Sequence, residues 1–464
     1  MNIVTRITTI FYSLFLITLL SCGGDNNNPT PTPPVNTGTD SGVKITIDPT
    51  NVKQEMIGFG GALTWYSNWV TASNKKNEIA DLMFTDLGID IIRFKNWYYP
   101  DNYPTDKTTT SMSDDGANVA WTATNTLHDL AMERNSDIKI LLSSWGPPKS
   151  LKSNALLQQG TLKKDDSGHF MYDDFAQYWS DVLDNVPFNP DYISIQNEPT
   201  FVTSGWTTCQ WAAAETTSLP DYTIAFDKVY DKIKTRTTVP IMVGPESQDI
   251  PTFAAFGNIL KDKASCGAYS YHPYNINSGT SASQVTSSLQ SIGNFSTKPS
   301  IMTEFSDNLD WYNTALFINK SLVYANSSGY IYWKLAWATP TSGTDAGMIS
   351  INSSGQYSVT PFYYLIKHFS KNIDAGYHRI EATSSSTSLN VSAFVSADNK
   401  KITLVIINDG TVAIDTDFTA TGKTISAVSA SQSKVGAYYK SVDTVLGKPI
   451  SLPAKSITTL VLDI

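Results

Sequence analysis

The segment Asp191-Tyr192-Ile193-Ser194-Ile195-Gln196-Asn197-Glu198-Pro199 is a mostly apolar run that stops abruptly in an amide, a carboxylate and a proline. With 192–197 as its strand, seven further short β-type runs surround it, at 57–63, 89–95, 138–144, 240–244, 267–271, 299–304 and 330–335. Each is followed by helix-like sequence or a long loop. Several are apolar almost throughout, the pattern of parallel strands covered on both faces. Just upstream, Phe175, Tyr178, Trp179, Val182 and Leu183 recur at helical spacing and form one buried stripe. Eight strands alternating with helices predict an α/β fold, a (β/α)8 TIM barrel. A doubly wound sheet is the rival architecture, but no Gly-rich phosphate loop follows the first strand.

The two ends of the chain read differently. Leu389, Val391, Ala393 and Val395 alternate with polar residues, runs at 402–407 and 412–418 flank Asn408-Asp409-Gly410, and an apolar run at 457–462 closes the chain. The Asn-Asp-Gly turn predicts a hairpin. Val43 to Ile47 alternates in the same way. The expected organisation is an N-terminal strand at 43–56, a catalytic barrel at 57–370 and an antiparallel β-sandwich side domain at 371–464. The N-terminal strand completes that sandwich.

Composition narrows the partners. Net charge is −9, and only five of the 33 cations are Arg. A long-range attraction to nucleic acid or to an anionic bilayer is therefore not expected. Three cysteines are too few for a disulfide scaffold, and Cys209 and Cys266 are expected to be free and buried. Eleven Trp and 23 Tyr in a chain with 16% charged residues point to flat aromatic surfaces for a neutral ligand. At the N-terminus, Arg6 precedes an apolar run at 10–20 that is too short for a membrane span. It ends in Leu19-Leu20-Ser21-Cys22-Gly23, which resembles a bacterial lipoprotein signal and implies lipidation of Cys22. The alternative is an ordinary signal peptide with an unrelated Cys. Residues 23–42, rich in Pro, Thr and Asn, read as a solvated linker. An outer-membrane lipoprotein of a Gram-negative envelope, facing either side, is the expected location.

In a barrel, polar residues at the C-terminal strand ends line the open face. Two carboxylates meet that condition: Glu198 ends the fourth strand and Glu304 the seventh. A pair of carboxyl groups facing one cleft is what glycosidic bond hydrolysis needs, one protonated to help the leaving oxygen and one ionised to attack the anomeric carbon or to activate water. Glu246, at the end of the fifth strand, is expected to support the pair rather than react. Trp65, Trp145, Tyr271, Trp333 and Trp337 fall at strand ends and are expected to stack on sugar rings. His272 is expected to hydrogen-bond substrate or Glu304. The other histidines have no ligand spacing, so neither a metal nor another cofactor is expected.

Asn197-Glu198-Pro199 on strand four with Glu304 on strand seven resembles the large clan of retaining glycosidases built on (β/α)8 barrels. Within it the chain resembles glycoside hydrolase family 30, through Ile57-Gly58-Phe59-Gly60-Gly61-Ala62, Ile195-Gln196-Asn197-Glu198-Pro199, Met302-Thr303-Glu304 and Tyr332-Trp333. The resemblance spans about residues 43–464 in order. It implies that Glu198 is the general acid/base and Glu304 the nucleophile. It also implies that Asn197 contacts the sugar hydroxyl beside the anomeric carbon, and that Arg93 orients or ion-pairs near Glu304.

Ser144-Trp145-Gly146-Pro147-Pro148, Cys209-Gln210-Trp211 and Gly244-Pro245-Glu246-Ser247 resemble the xylan-cleaving branch of that family. This resemblance implies a plant β-1,4-xylan substrate, cut internally or released as short oligosaccharides. Some members of that branch grip a glucuronate substituent through an Arg in the loop after strand eight. Residues 336–360 contain neither Arg nor Lys, so glucuronate is not expected to be obligatory. A β-1,6-glucanase, another β-glycosidase of the family and a non-catalytic glycan-binding lipoprotein are the other readings. The expected partners are the polysaccharide and, through the lipid alone, a membrane; the protein is expected to be a monomer.

Overall fold

The computed structural model describes residues 42–100, 117–306, 308–339 and 347–464. The Cys22 motif and the linker up to residue 41 lie outside the described residues. Among the described residues, no helix is long and apolar enough to cross a membrane.

Strand β1 (Val43–Glu55) belongs to the side sheet, and the chain then enters a closed parallel barrel. Its eight strands are β2 (Gly58–Leu63), β3 (Ile91–Lys95), β4 (Lys139–Ser143), β5 (Tyr192–Ser194), β6 (Ile241–Ser247), β7 (Ala268–Tyr271), β8 (Ser300–Met302) and β9 (Ser327–Tyr332). Each overlaps one of the eight predicted runs. A Cβ on Gly60 would lie 1.8 Å from the carbonyl oxygen of Ile91, so the β2–β3 seam closes only over glycine.

The strands sort their side chains by parity into two cores, because successive residues point to opposite faces. Ile91, Leu141, Val243, Ala268, Ile301 and Ile331 fill the barrel interior. Ile92, Phe94, Ile140, Leu142, Met242, Tyr269 and Met302 pack outward against the helices. The helix Tyr172–Asn185 buries all five stripe residues. Trp179 is fully buried there, and its loss to Ala would cost about 3–5 kcal/mol.

After β9, the strands β10 (Ala336–Ala338), β11 (Ile349–Ile351) and β12 (Tyr357–Val359) form a small sheet, where the sequence reading had only a loop. The helix Pro361–Ser370 leads into β13 (His378–Ser384), β14 (Leu389–Val395), β15 (Lys401–Asn408), β16 (Ile414–Ala420), β17 (Ala427–Lys434), β18 (Ala437–Val442), β19 (Ile450–Leu452) and β20 (Ser456–Asp463). With β1 they make one curled nine-stranded sheet in the order β18-β17-β20-β15-β14-β13-β1-β16-β19, around a core that includes Ile45, Ile47, Ile380, Leu404 and Leu460. Its pairings are antiparallel except that β1 runs parallel to β16. This is a TIM barrel with a β-sandwich side domain.

The predicted hairpin at Asn408-Asp409-Gly410 does not form. β15 pairs with β14 and β20, while β16 pairs with β1 and β19. Asn408 explains the departure. Its side-chain oxygen accepts from Gly410 N at 2.9 Å, and its amide donates to the carbonyls of Val412, Leu452 and Pro453 at 2.9–3.0 Å. The buried side chain thus makes a local turn that carries the chain to another part of the sheet instead of back along β15.

Candidate active site

Hydrogen bonding continues past the formal end of β5 and sets the position of Glu198. Ser144 N donates to Ser194 O at 3.1 Å, Asn197 N to Ser144 O at 2.6 Å, and Glu198 N to Glu246 O at 2.9 Å. Glu198 and Glu246 both hold left-handed backbone, with φ of 48° and 52°. Such strain costs about 1–3 kcal/mol per residue and persists only where the surroundings enforce it. Here the two strained residues are bonded to each other through the backbone.

Arg93, on the inward row of β3, is fully buried beneath the pair. Its Nε donates to Glu246 Oε1 at 2.9 Å and to Ser143 Oγ at 3.1 Å. Its Nη1 donates to Glu304 Oε2 at 2.7 Å and its Nη2 to Asn197 Oδ1 at 2.6 Å. One rigid guanidinium therefore fixes four residues from four strand ends, Ser143, Asn197, Glu246 and Glu304. Arg93 is thus a positioning residue below the cleft floor, ion-paired with Glu304. Glu246 supports the guanidinium, as its sequence context implied.

A cleft of about 320 Å³ opens above this network. Of the expected residues, Trp65, Trp145, Asn197, Glu198, Glu304, Trp333 and Trp337 line it. Trp65 is the hub of a tryptophan box, with edge-on contacts to Trp97, Trp145, Trp333 and Trp337 at 5.8–6.2 Å between ring centroids. A larger hollow of about 650 Å³ lies at the other barrel mouth, among strand-start residues such as Ile57, Tyr192 and Ile241, and contains neither glutamate.

Two expectations are corrected. Tyr271 is fully buried outside the barrel, where its ring meets Phe253 at 6.1 Å and its hydroxyl bonds Ser327 Oγ at 2.8 Å. It has the outward parity of Tyr269, so it stacks on no sugar. His272 has the inward parity, and it bonds Glu198 rather than Glu304. Its Nδ1 is 3.1 Å from Glu198 Oε1 and its Nε2 is 3.1 Å from Thr303 Oγ1.

Phe201, Trp206, Gln248, Tyr274 and Lys334 also line the cleft, and the sequence reading had named none of them. Tyr274 was findable: it continues the inward row of Ser270 and His272, and its hydroxyl donates to Glu304 Oε1 at 3.0 Å. Phe201 and Trp206 stack at 6.0 Å on the loop after Glu198, where no periodicity marks them. Lys334 sits just before the loop counted as free of cations, with Nζ 4.9 Å from the Trp337 ring centroid.

Burial lifts the Glu198 carboxyl well above the usual carboxylate range, and the charge of Glu304 adds to the shift while Arg93 opposes it. Burial also pushes Glu304 up to about 7, against the pull of Arg93 and Tyr274. Two donors grip Glu304, so Glu304 ionises first and Glu198 keeps the proton. Burial, with Arg93 beside it, drops His272 well below its ordinary value, so the imidazole is neutral. One oxygen or nitrogen each of Glu198, His272 and Glu304 lie within 4.8 Å of one another. A cation could be imagined there, but Arg93 already places a fixed positive charge on Glu304.

No family model and no curated protein sequence matches the chain. Solved structures do. A xylanase of glycoside hydrolase family 30 subfamily 8, Xyn30A from Clostridium acetobutylicum, is 22% identical, with a TM-score of 0.68 over 91% of this chain and 100% of that one. The catalytic domain of xylanase C from Talaromyces cellulolyticus is 19% identical, with a TM-score of 0.72 over 91% and 100%. The fold is that of glycoside hydrolase family 30. An endo-β-1,6-glucanase shares it at 17% identity, with a TM-score of 0.68 over 91% of this chain and 94% of that one. Xylanases and an endo-β-1,6-glucanase thus share this fold.

Proposed function

We propose that this chain is a retaining glycoside hydrolase that cleaves β-1,4-xylan and does not require a glucuronate branch. The observation that carries the proposal is the pairing of Glu198 with Glu304: oxygens of the two come within 4.8 Å, one carboxyl raised well above its usual range by burial and the other bound to Arg93. Retaining enzymes keep their carboxyl groups about 5–5.5 Å apart, while inverting ones need about 6.5–9.5 Å to admit a water.

In the proposed reaction, Glu304 attacks the anomeric carbon as Glu198 protonates the departing oxygen, and a glycosyl ester forms. Glu198, now ionised, takes a proton from water, whose oxygen attacks the same carbon and frees Glu304. The two glutamates and water supply every proton and bond, so no cofactor is required. Asn197, held by Arg93, faces the sugar beside the reacting carbon. The tryptophan box packs on the sugar bound there, and Phe201 and Trp206 meet the leaving side.

Lys334 brings one cation to the cleft, but an ammonium is a point charge without the two-pronged geometry that grips a carboxylate. Unbranched xylan thus remains the proposed substrate. A β-1,6-glucan is the second reading, favoured by the equal TM-score of 0.68 to the endo-β-1,6-glucanase. As part of the same proposal, a lipid on Cys22 holds the enzyme at the outer membrane.

The test is digestion of linear xylo-oligosaccharides, glucuronoxylan, arabinoxylan, β-1,6-glucan and β-1,6-galactan, with the first-formed anomer followed by proton NMR. Release of the β-anomer from linear xylo-oligosaccharides supports the substrate, the branch argument and the retaining mechanism together. Cleavage of glucuronoxylan alone overturns the branch argument. Cleavage of a β-1,6 polymer alone overturns the substrate, and an α-anomer overturns the mechanism.

A further inference from the structure

His272 bridges two hydroxyl-bearing groups. On one side Glu198 Oε1 lies 3.1 Å from Nδ1, and on the other Thr303 Oγ1 lies 3.1 Å from Nε2. Both His272 and Thr303 are fully buried, so no bulk water competes for either contact. The imidazole is neutral and carries one N–H, which must point either at Glu198 or at Thr303. The choice decides where the proton of Glu198 sits. If Nδ1 were bare, it would draw the Glu198 proton onto Oε1, facing His272 and turned from the substrate. If Nδ1 carries the hydrogen, it donates to Oε1 and leaves the proton on Oε2, the oxygen left to face the cleft that Glu198 lines.

We infer that the Thr303 hydroxyl donates to His272 Nε2, holds the imidazole in its Nδ1–H form, and thereby keeps the transferable proton of Glu198 on the oxygen that faces the substrate. The inference rests on Glu198 being the acid/base carboxyl. The same tautomer serves both halves of the reaction, because Nδ1–H also stabilises Oε1 once Glu198 is ionised. His272 and Thr303 are positioning residues here: neither lines the cleft, and both act through Glu198. Glu304, Arg93, Glu246 and Asp249 are the other charged groups that act on Glu198, and none of them contacts Nε2.

The experiment is 15N NMR of the full chain labelled at histidine, with the His272 signal assigned by its loss in His272→Gln. It needs no substrate, so its outcome is independent of which glycan the enzyme cuts. In the wild type, the expected result is a protonated Nδ1 and a bare Nε2, unchanged as pH is raised through the ionisation of Glu198. In Thr303→Val the expected result is a shift of the hydrogen toward Nε2, with Thr303→Ser restoring the wild-type pattern.

A kinetic arm uses aryl β-glycosides of whichever sugar the wild type hydrolyses. Thr303→Val is expected to slow a substrate with a poor leaving group by about tenfold or more, while a dinitrophenyl glycoside, which needs no acid to depart, changes far less in its first step. An Nε2–H tautomer in the wild type, or a tautomer that swaps as Glu198 ionises, overturns the inference. So does a Thr303→Val enzyme with an unaltered tautomer and unaltered leaving-group dependence. Loss of activity in Glu198→Gln with the NMR pattern intact keeps the two questions apart.

Discussion

Arg93 Nη1 lies 2.7 Å from Glu304 Oε2, and no part of the guanidinium is exposed to solvent. The contact joins the ionised member of the carboxyl pair to a cation that cannot be deprotonated. The same guanidinium reaches Glu246 and Asn197, so position and charge at the site depend on one side chain.

Removing that side chain leaves two buried carboxylates without their partner. Arg93→Met is expected to destabilise the protein by about 3–5 kcal/mol, read by urea denaturation. Arg93→Lys keeps the charge but not the fork, and kcat is expected to fall about 100-fold while folding is largely retained. Wild-type turnover in Arg93→Lys would show that the fork is dispensable.

The pH dependence of kcat/KM has a definite sign. Glu304 must be ionised, so activity falls as pH drops through its ionisation, which burial moves up toward about 7. Glu198 must be protonated, so activity falls again as pH rises through its own ionisation, which burial also raises. Tyr274→Phe removes a donor to the Glu304 carboxylate at 3.0 Å. The acid limb is then expected to move upward by about one pH unit. A downward move would contradict the assignment.

Phe201 and Trp206, stacked at 6.0 Å on the loop that follows Glu198, line the cleft, and the proposed reaction puts them on the leaving-group side. Trp206→Ala is expected to lower kcat/KM on a polymer by about tenfold, the worth of one aromatic contact. Small aryl glycosides, which place no sugar there, should change little. Equal losses on both substrates would assign Trp206 to the other side of the scissile bond.

His368 lies in the interface between the helix Pro361–Ser370 and the side sheet. Its Nδ1 bonds Thr459 Oγ1 at 2.9 Å and its Nε2 bonds Ser433 Oγ at 2.7 Å. Burial lowers its pKa to about 3. The unfolded chain binds that proton near pH 6.5 and the folded one resists it, so the stabilisation is complete above about 6.5 and is lost as pH falls toward 3. Its contribution to the unfolding free energy should decline by about 1.4 kcal/mol per pH unit across that window. Denaturation at pH 4, 5, 6 and 7 should show this slope in the wild type and a shallower one in His368→Gln.

The alternation of strands and helices, the apolar character of the strands and the strand-end positions of Glu198 and Glu304 are all written locally in the chain. That is why the barrel, its eight strands and the glutamate pair could be read without coordinates. Burial of a two-faced parallel strand demands continuous apolar sequence, and a carboxylate at its end stands out against that background. Parity is local as well, and following it along β7 separates the buried Tyr271 from the inward His272 and Tyr274.

What only the tertiary structure decided lies where residues far apart in sequence meet. The Arg93 network joins side chains up to 211 residues apart, and the hydrogen bonds of His272 reach Glu198 on one side and Thr303 on the other. The turn at Asn408 depends on carbonyls 44 and 45 residues downstream. Composition and spacing name the groups that can react, because chemistry resides in single side chains. Which oxygen holds the proton, which carboxylate is gripped and which aromatic faces the cleft depend on distance, burial and charge, and these exist only once the chain has closed on itself.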